Sequence, residues 1–182
     1  MKKLLIASDL HGSAYYTRFL MDRICEEEAD RVLLLGDLLY HGPRNDLPRE
    51  YAPKEVIAML NGIRNHILAV RGNCDTEVDQ MVLEFPIMAD YAMLYVEGYT
   101  MIAVHGHHAG EAAPPPHRPG DILLAGHTHI PCCHEHEDFI YMNPGSVSIP
   151  KEGSRHSYMT LESGRFLWKD VENGEIWMEK RI

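Results

Sequence analysis

Five short apolar runs in this chain each end, within a residue or two, in side chains able to hold a metal. Leu4–Ser8 leads into Asp9 and His11, Val32–Leu35 into Asp37, and Ile67–Val70 into Asn73. Met101–Val104 leads into His105, and Ile122–Ala125 into His127 and His129. In open α/β sheets, ligands bind beyond the carboxyl ends of the strands. If the five runs are neighbouring strands, their seven side chains converge on one place. Asp-x-His and His-x-His have a local logic as well, because residues i and i+2 of an extended segment point the same way. Gly12, Gly36, Gly72, Gly106 and Gly126 flank the candidate positions, as backbone that must turn sharply beside a ligand requires. Seven nitrogen and oxygen donors exceed what one metal takes from protein, so two metals sharing a carboxylate is the economical reading. No single motif carries this; the joint order does.

The rest of the chain is compatible with such a sheet. Lys3–Ser8, Val32–Leu35 and His66–Val70 are expected as strands. Helices should intervene from Ser13, a plausible N-cap, to about Glu28, and from Pro53, with Val56, Ile57, Leu60 and Ile63 on one face. A short helix is expected from Thr76 to Leu83. The second half is strand-rich. Tyr91–Val96 and Thr100–His105 form a hairpin around Glu97-Gly98, and further strands are expected at Phe139–Met142, Ser157–Glu162, Phe166–Val171 and Ile176–Lys180. Residues 106–120, with Pro114-Pro115-Pro116, read as a rigid surface loop near the site mouth. The expectation is an α/β fold of mixed sheets packed together with helices outside, in a single domain over residues 1–182.

Composition excludes several functions. The formal net charge is 17 − 27 = −10, which argues against broad binding to nucleic acid or anionic membrane. It does not exclude an anionic substrate, since bound cations reverse local charge. No apolar run reaches the length of a membrane span. The stretch from Met1 to Ile6 stops at Asp9 with no cleavage site, so it is read as a buried first strand and the protein as cytoplasmic. Four cysteines, Cys25, Cys74, Cys132 and Cys133, make no disulfide framework and are expected as free thiols. The tract Cys132-Cys133-His134-Glu135-His136 could hold zinc in principle, but its spacing is wrong for a structural site and a solvent-edged strand or hairpin is favoured.

The motifs Asp-x-His, Gly-Asp, Gly-Asn-x-Asp, His-Gly-His and Gly-His-Thr-His, in this order over residues 4 to 150, resemble the signature of calcineurin-like metallophosphoesterases. His41-Gly42-Pro43-Arg44-Asn45, Gly72-Asn73-Cys74-Asp75 and Asn143-Pro144-Gly145-Ser146 resemble its small bacterial, YfcE-type phosphodiesterase branch. The resemblance implies a four-layer α-β-β-α sandwich with two mixed β-sheets. It also implies two divalent metal ions. Asp9, His11, Asp37 and His129 would hold the first, and Asp37, Asn73, His105 and His127 the second, with Asp37 bridging. The implied reaction is hydrolysis of a small phosphodiester by attack of a metal-activated hydroxide. Carboxylate, amide and imidazole donors suit Mn²⁺ and also admit Fe, Zn, Ni or Co.

One position departs from the pattern. Many relatives carry histidine where this chain has Cys74, paired with the following acid to act on the leaving group. A thiol is a weak donor, so the leaving-group role of Cys74 and Asp75 is open. His41 and His107 are alternative proton donors, each with an equal reading as a surface loop residue. Arg44 could meet a substrate phosphate, and reads at least as well as a solvated loop arginine. Two other functions share these motifs: a phosphomonoesterase or protein phosphatase, and a non-catalytic scaffold like the retromer subunit of this fold. All seven ligand positions hold competent residues, which disfavours the scaffold. Self-association is not legible from the sequence.

Overall fold

The first strand, β1 (Leu4–Ala7), is buried over its whole length. In a strand successive side chains point to opposite faces. Leu4 and Ile6 therefore join one apolar cluster, and Leu5 and Ala7 another. A strand buried on both faces demands a layer on each side, and the computed structural model, which describes residues 3–182, supplies both. Met1 and Lys2, the start of the apolar N-terminal stretch, lie outside the described residues.

β1 pairs in parallel with β2 (Arg31–Leu34), and β2 with β3 (Ile67–Ala69). The crossovers carry α1 (Ala14–Glu26) and α2 (Pro53–Gly62). Ser13 caps α1 by accepting the Tyr16 N–H at 3.3 Å, and Pro53 opens α2, where its missing N–H costs nothing. Val56 and Leu60 of α2 are buried against the sheet, with Ile57 and Ile63 half-buried beside them. α3 (Glu77–Gln80) is shorter than expected, and Thr76 and Asp79 close a reciprocal capping box at its start.

The hairpin forms as expected from β4 (Tyr91–Val96) and β5 (Tyr99–Val104). β5, β6 (Asp121–Leu124) and β8 (Phe139–Asn143) are parallel, and β7 (Cys132–Glu135) lies antiparallel on the edge. The sheet order is β4-β5-β6-β8-β7. The cysteine-histidine tract is thus an edge strand and its turn. His134 and His136 both meet one oxygen of Glu111, at 2.6 and 3.0 Å. Strands β9 (Ser157–Glu162), β10 (Arg165–Asp170) and β11 (Ile176–Arg181) extend the first sheet to β11-β10-β9-β1-β2-β3.

The two mixed sheets face each other across Leu4, Ile6, Leu33, Met101, Ile122 and Trp168. Trp168 crosses the interface, and its indole N–H donates to the Asn143 carbonyl at 2.7 Å. Helices α1 and α2 cover the outer face of the first sheet. Two mixed sheets packed face to face are the architecture expected, and the outer face of the second is covered differently from that of the first. Among the described residues it carries only the irregular segment 106–120, which touches the sheet where His117 packs on Phe139. Three successive prolines cannot continue a helix, and they keep this layer irregular.

Candidate metal centre

Both parallel strand sets point their carboxyl ends to the same place. Asp9, His11, Asp37, His127 and His129 all have left-handed backbones there, with φ between 46° and 66°. These positions are strained for residues with a Cβ, and such strain collects at functional sites. The i, i+2 logic of an extended segment is therefore not what brings Asp9 and His11 together. Each sits on a tight hook after its strand. Two glycines make room. A Cβ on Gly72 would lie 2.1 Å from the Asp37 carboxylate, and one on Gly126 2.0 Å from the Ser8 hydroxyl.

His11, His105 and His129 share one device. Their Nδ1 atoms contact the carbonyls of Tyr40, Leu35 and Ile149 at 2.7, 2.6 and 2.6 Å. A carbonyl only accepts, so each Nδ1 carries the hydrogen and each neutral ring presents a bare Nε2. Those Nε2 atoms gather around carboxylates. His129 Nε2 is 3.2 Å and His11 Nε2 3.6 Å from Asp9 Oδ1, and the two nitrogens are 3.3 Å apart. Two lone pairs at that distance repel unless a cation or proton lies between them. Asp9 Oδ1 is itself buried and has no hydrogen-bond partner among the described residues.

A second cluster adjoins the first. His105 Nε2 lies 3.1 Å from Asn73 Oδ1 and 3.5 Å from Asp37 Oδ2. The same Asp37 oxygen is 3.7 Å from His11 Nε2. The His127 ring lies 5.1 Å from that of His105. The His-x-His pair therefore divides, with His129 beside Asp9 and His127 beside His105. Asp9, His11 and His129 form one buried group able to hold a metal ion, and Asp9, Asp37 and His105 another.

Electrostatics agrees. Burial alone would neutralise Asp9, but His11 and His129 hold its carboxyl well below the usual range. Burial pulls His105 down, yet the Asp37 hydrogen bond and the Asp9 charge outweigh it and leave the imidazole at about 9. A proton held on His105 competes for the nitrogen that its neutral ring would offer a metal.

The remaining expected residues fall in different places. Cys74 lines a cleft of about 480 Å³ beside Asp37, Asn73, His127 and His129. Its thiol is pushed up to about 12, by burial first and then by the Asp37 charge. Asp75 is not aimed at the cleft. Its carboxylate accepts the backbone N–H groups of Asp37 and Leu38 at 2.9 Å each and of Gly72 at 2.7 Å. Three backbone donors thus engage the carboxylate, which binds two ligand loops together. His41 also misses the cleft wall and packs edge-on to Tyr40 and Tyr51. His107 abuts His105, with ring centres 5.4 Å apart, and burial and that neighbour push it down to about 4. Arg44 lines the cleft, and Lys151 and Thr128 line it too. Ser146 and Ser148 were missed as supports. Their hydroxyls donate to the Asp9 carbonyl at 2.9 and 3.0 Å. The Asn-Pro-Gly-Ser motif was the only signal that could have found them.

Comparison with known proteins fits this geometry. Residues 1–165 match the family model of the calcineurin-like phosphoesterase superfamily domain. The chain is 44% identical over 163 residues to the phosphodiesterase YfcE of Escherichia coli K12, covering 90% of this chain and 89% of that one. It superposes on the structure of the Escherichia coli phosphoesterase YfcE with a TM-score of 0.96 at 40% identity, over 99% of both chains. Vps29 of Cryptosporidium parvum shares the fold alone, with a TM-score of 0.62 at 19% identity, over 100% of this chain and 98% of that one. With the family model spanning most of its length and a relative at 44% identity, the chain belongs to the calcineurin-like phosphoesterase superfamily.

Proposed function

We propose that this chain hydrolyses phosphodiesters at a dinuclear centre, with water as the nucleophile. The observation that carries this is Asp37 Oδ2, which lies within 3.7 Å of imidazole Nε2 atoms in both clusters. A carboxylate oxygen so placed can bridge two cations. In this reading Asp9, His11, Asp37 and His129 hold one ion, and Asp37, Asn73, His105 and His127 the other. When bound, two divalent cations lower the pKa of a coordinated water and neutralise charge that builds on phosphoryl oxygens. Mn²⁺ is the first choice, because no thiolate is among the donors. Support for a diester substrate comes from the phosphodiesterase of Escherichia coli at 44% identity.

The chain's own residues do the rest. Arg44 and Lys151 line the cleft and supply positive charge toward a substrate phosphate. Asp75 acts as a positioning residue by tying the Asp37 and Gly72 loops. Cys74 stays a neutral thiol and donates weakly, so the leaving group departs with little help from it. A cytoplasmic site of action is in keeping with four free cysteines, and among the described residues no helix is long and apolar enough to cross a membrane.

The test is a screen of chelator-stripped protein with several divalent ions against aryl phosphomonoesters and aryl phosphodiesters. Metal-dependent diester hydrolysis, strongest with Mn²⁺, is expected. Full activity in protein shown by elemental analysis to hold no metal would overturn the reading, as would hydrolysis of monoesters alone.

A further inference from the structure

The outer face of the β4–β5 hairpin is apolar and poorly covered. Tyr91, Met93 and Tyr95 are 63%, 62% and 77% exposed, while the alternate residues Ala92, Leu94 and Val96 pack between the sheets. Over this face the segment 106–120 leaves a cavity of about 410 Å³, lined chiefly by Tyr91, Met93, Ile102, Val104, Pro115 and Pro116. Its size and lining are those of a small-molecule site, mostly apolar with few polar groups.

The cavity's position gives it a role. Tyr91 pairs with Val104, one residue before His105, so the cavity lies at the metal end of the hairpin. His105 and His107 form part of its wall. His107, on the same wall, lies 5.4 Å from His105 and 6.1 Å from His127 by ring centres. Its Nδ1 is buried without a hydrogen-bond partner among the described residues. An atom so buried is closed off from the cavity, so the wall there stays apolar.

We infer that this cavity is a substrate subsite, taking an aromatic alcohol arm of the phosphodiester while the phosphate sits at the metal centre. The inference rests on the phosphodiesterase reading and deepens it. It divides the substrate by chemistry. Arg44 and Lys151 on the polar cleft meet the charged group, and the hairpin cavity meets a flat apolar one. An arm that is small or strongly hydrated gains nothing there.

Two phosphonates separate the contributions, because each presents the same head group and only one carries a ring. Binding of phenylphosphonate and methylphosphonate is measured by calorimetry on protein loaded with whichever metal best supports hydrolysis of bis(4-nitrophenyl) phosphate. The unmodified protein should bind phenylphosphonate about tenfold more tightly, as burial of a ring predicts. Met93→Trp, which fills the cavity from an exposed strand position, and Tyr91→Ala, which removes a wall, should each bring the ratio below about threefold. A ratio near one in the unmodified protein, or one kept in both variants, overturns the subsite while diester hydrolysis leaves the functional reading intact. A hairpin face that instead pairs two copies, with Met93→Trp converting a dimer to monomer and the ratio unmoved, also overturns it. Failure of every metal to support diester hydrolysis removes both conclusions together.

Discussion

The Asp75 carboxylate accepts the backbone N–H of Asp37 at 2.9 Å, and the Asp37 carboxylate in turn accepts the N–H of Cys74 at 2.8 Å. The two loops bearing Asp37 and Asn73 are therefore laced to each other by reciprocal acid-to-amide contacts. Asp75→Asn turns one accepting oxygen into an NH₂ group facing a donor. It should destabilise the fold by about 2–4 kcal/mol and weaken metal binding, while leaving the pH dependence of turnover unchanged. Urea denaturation together with metal titration checks this. A pH profile that loses one limb in Asp75→Asn would return the residue to proton transfer.

Metal and proton should compete at His105. Its imidazole titrates at about 9 in the metal-free protein, above the ordinary histidine range. A raised histidine stabilises the fold fully below its unfolded pKa and loses that contribution as pH rises through the folded one. Metal-free protein should thus melt lower by about 5 °C between pH 6.5 and 9. Apparent metal affinity should rise over the same window, since binding displaces the proton. Calorimetry at stepped pH measures both, and an affinity that levels off by pH 7 would contradict it.

Asp37→Asn should be the most damaging single change among the ligands. It removes charge from an oxygen that faces both clusters, and should lower affinity for both ions by about 100-fold or more. His129→Ala should affect mainly the ion beside Asp9, and His127→Ala the ion beside His105. Metal stoichiometry on the three variants decides it. Two ions tightly held in Asp37→Asn, with normal turnover, would refute the bridge.

Cys74 lines the cleft as a neutral thiol, so its loss should matter little when the leaving group is already stable. Cys74→Ala should keep kcat/KM for aryl diesters within about threefold, and Cys74→His should raise it about tenfold or more for poor leaving groups. The comparison runs across alcohols of graded pKa with metal content verified. Abolished turnover of activated diesters in Cys74→Ala, with both ions present, would give the thiol a direct part.

The convergence of the candidate ligands was legible because each follows a buried apolar run, and the ends of those runs meet in the fold. Asp9, Asp37 and His105 need no more than a buried run and its end. The loop-tying contacts of Asp75 were not legible because its partners, the amides of Asp37, Leu38 and Gly72, are backbone groups that no side-chain pattern encodes. Lys151 was missed for a related reason. It reaches the cleft through a loop whose path is set by contacts such as its N–H to the His129 carbonyl at 3.3 Å.

The left-handed hooks at Asp9, His11, Asp37, His127 and His129 set a condition on moving this centre elsewhere. A designer who copies the seven side chains onto the ends of ordinary extended strands would reproduce the composition and lose the convergence. What must travel is each short hook with its dihedral angles, together with the glycine it crosses. A graft would then be judged first by its backbone, before any metal is added.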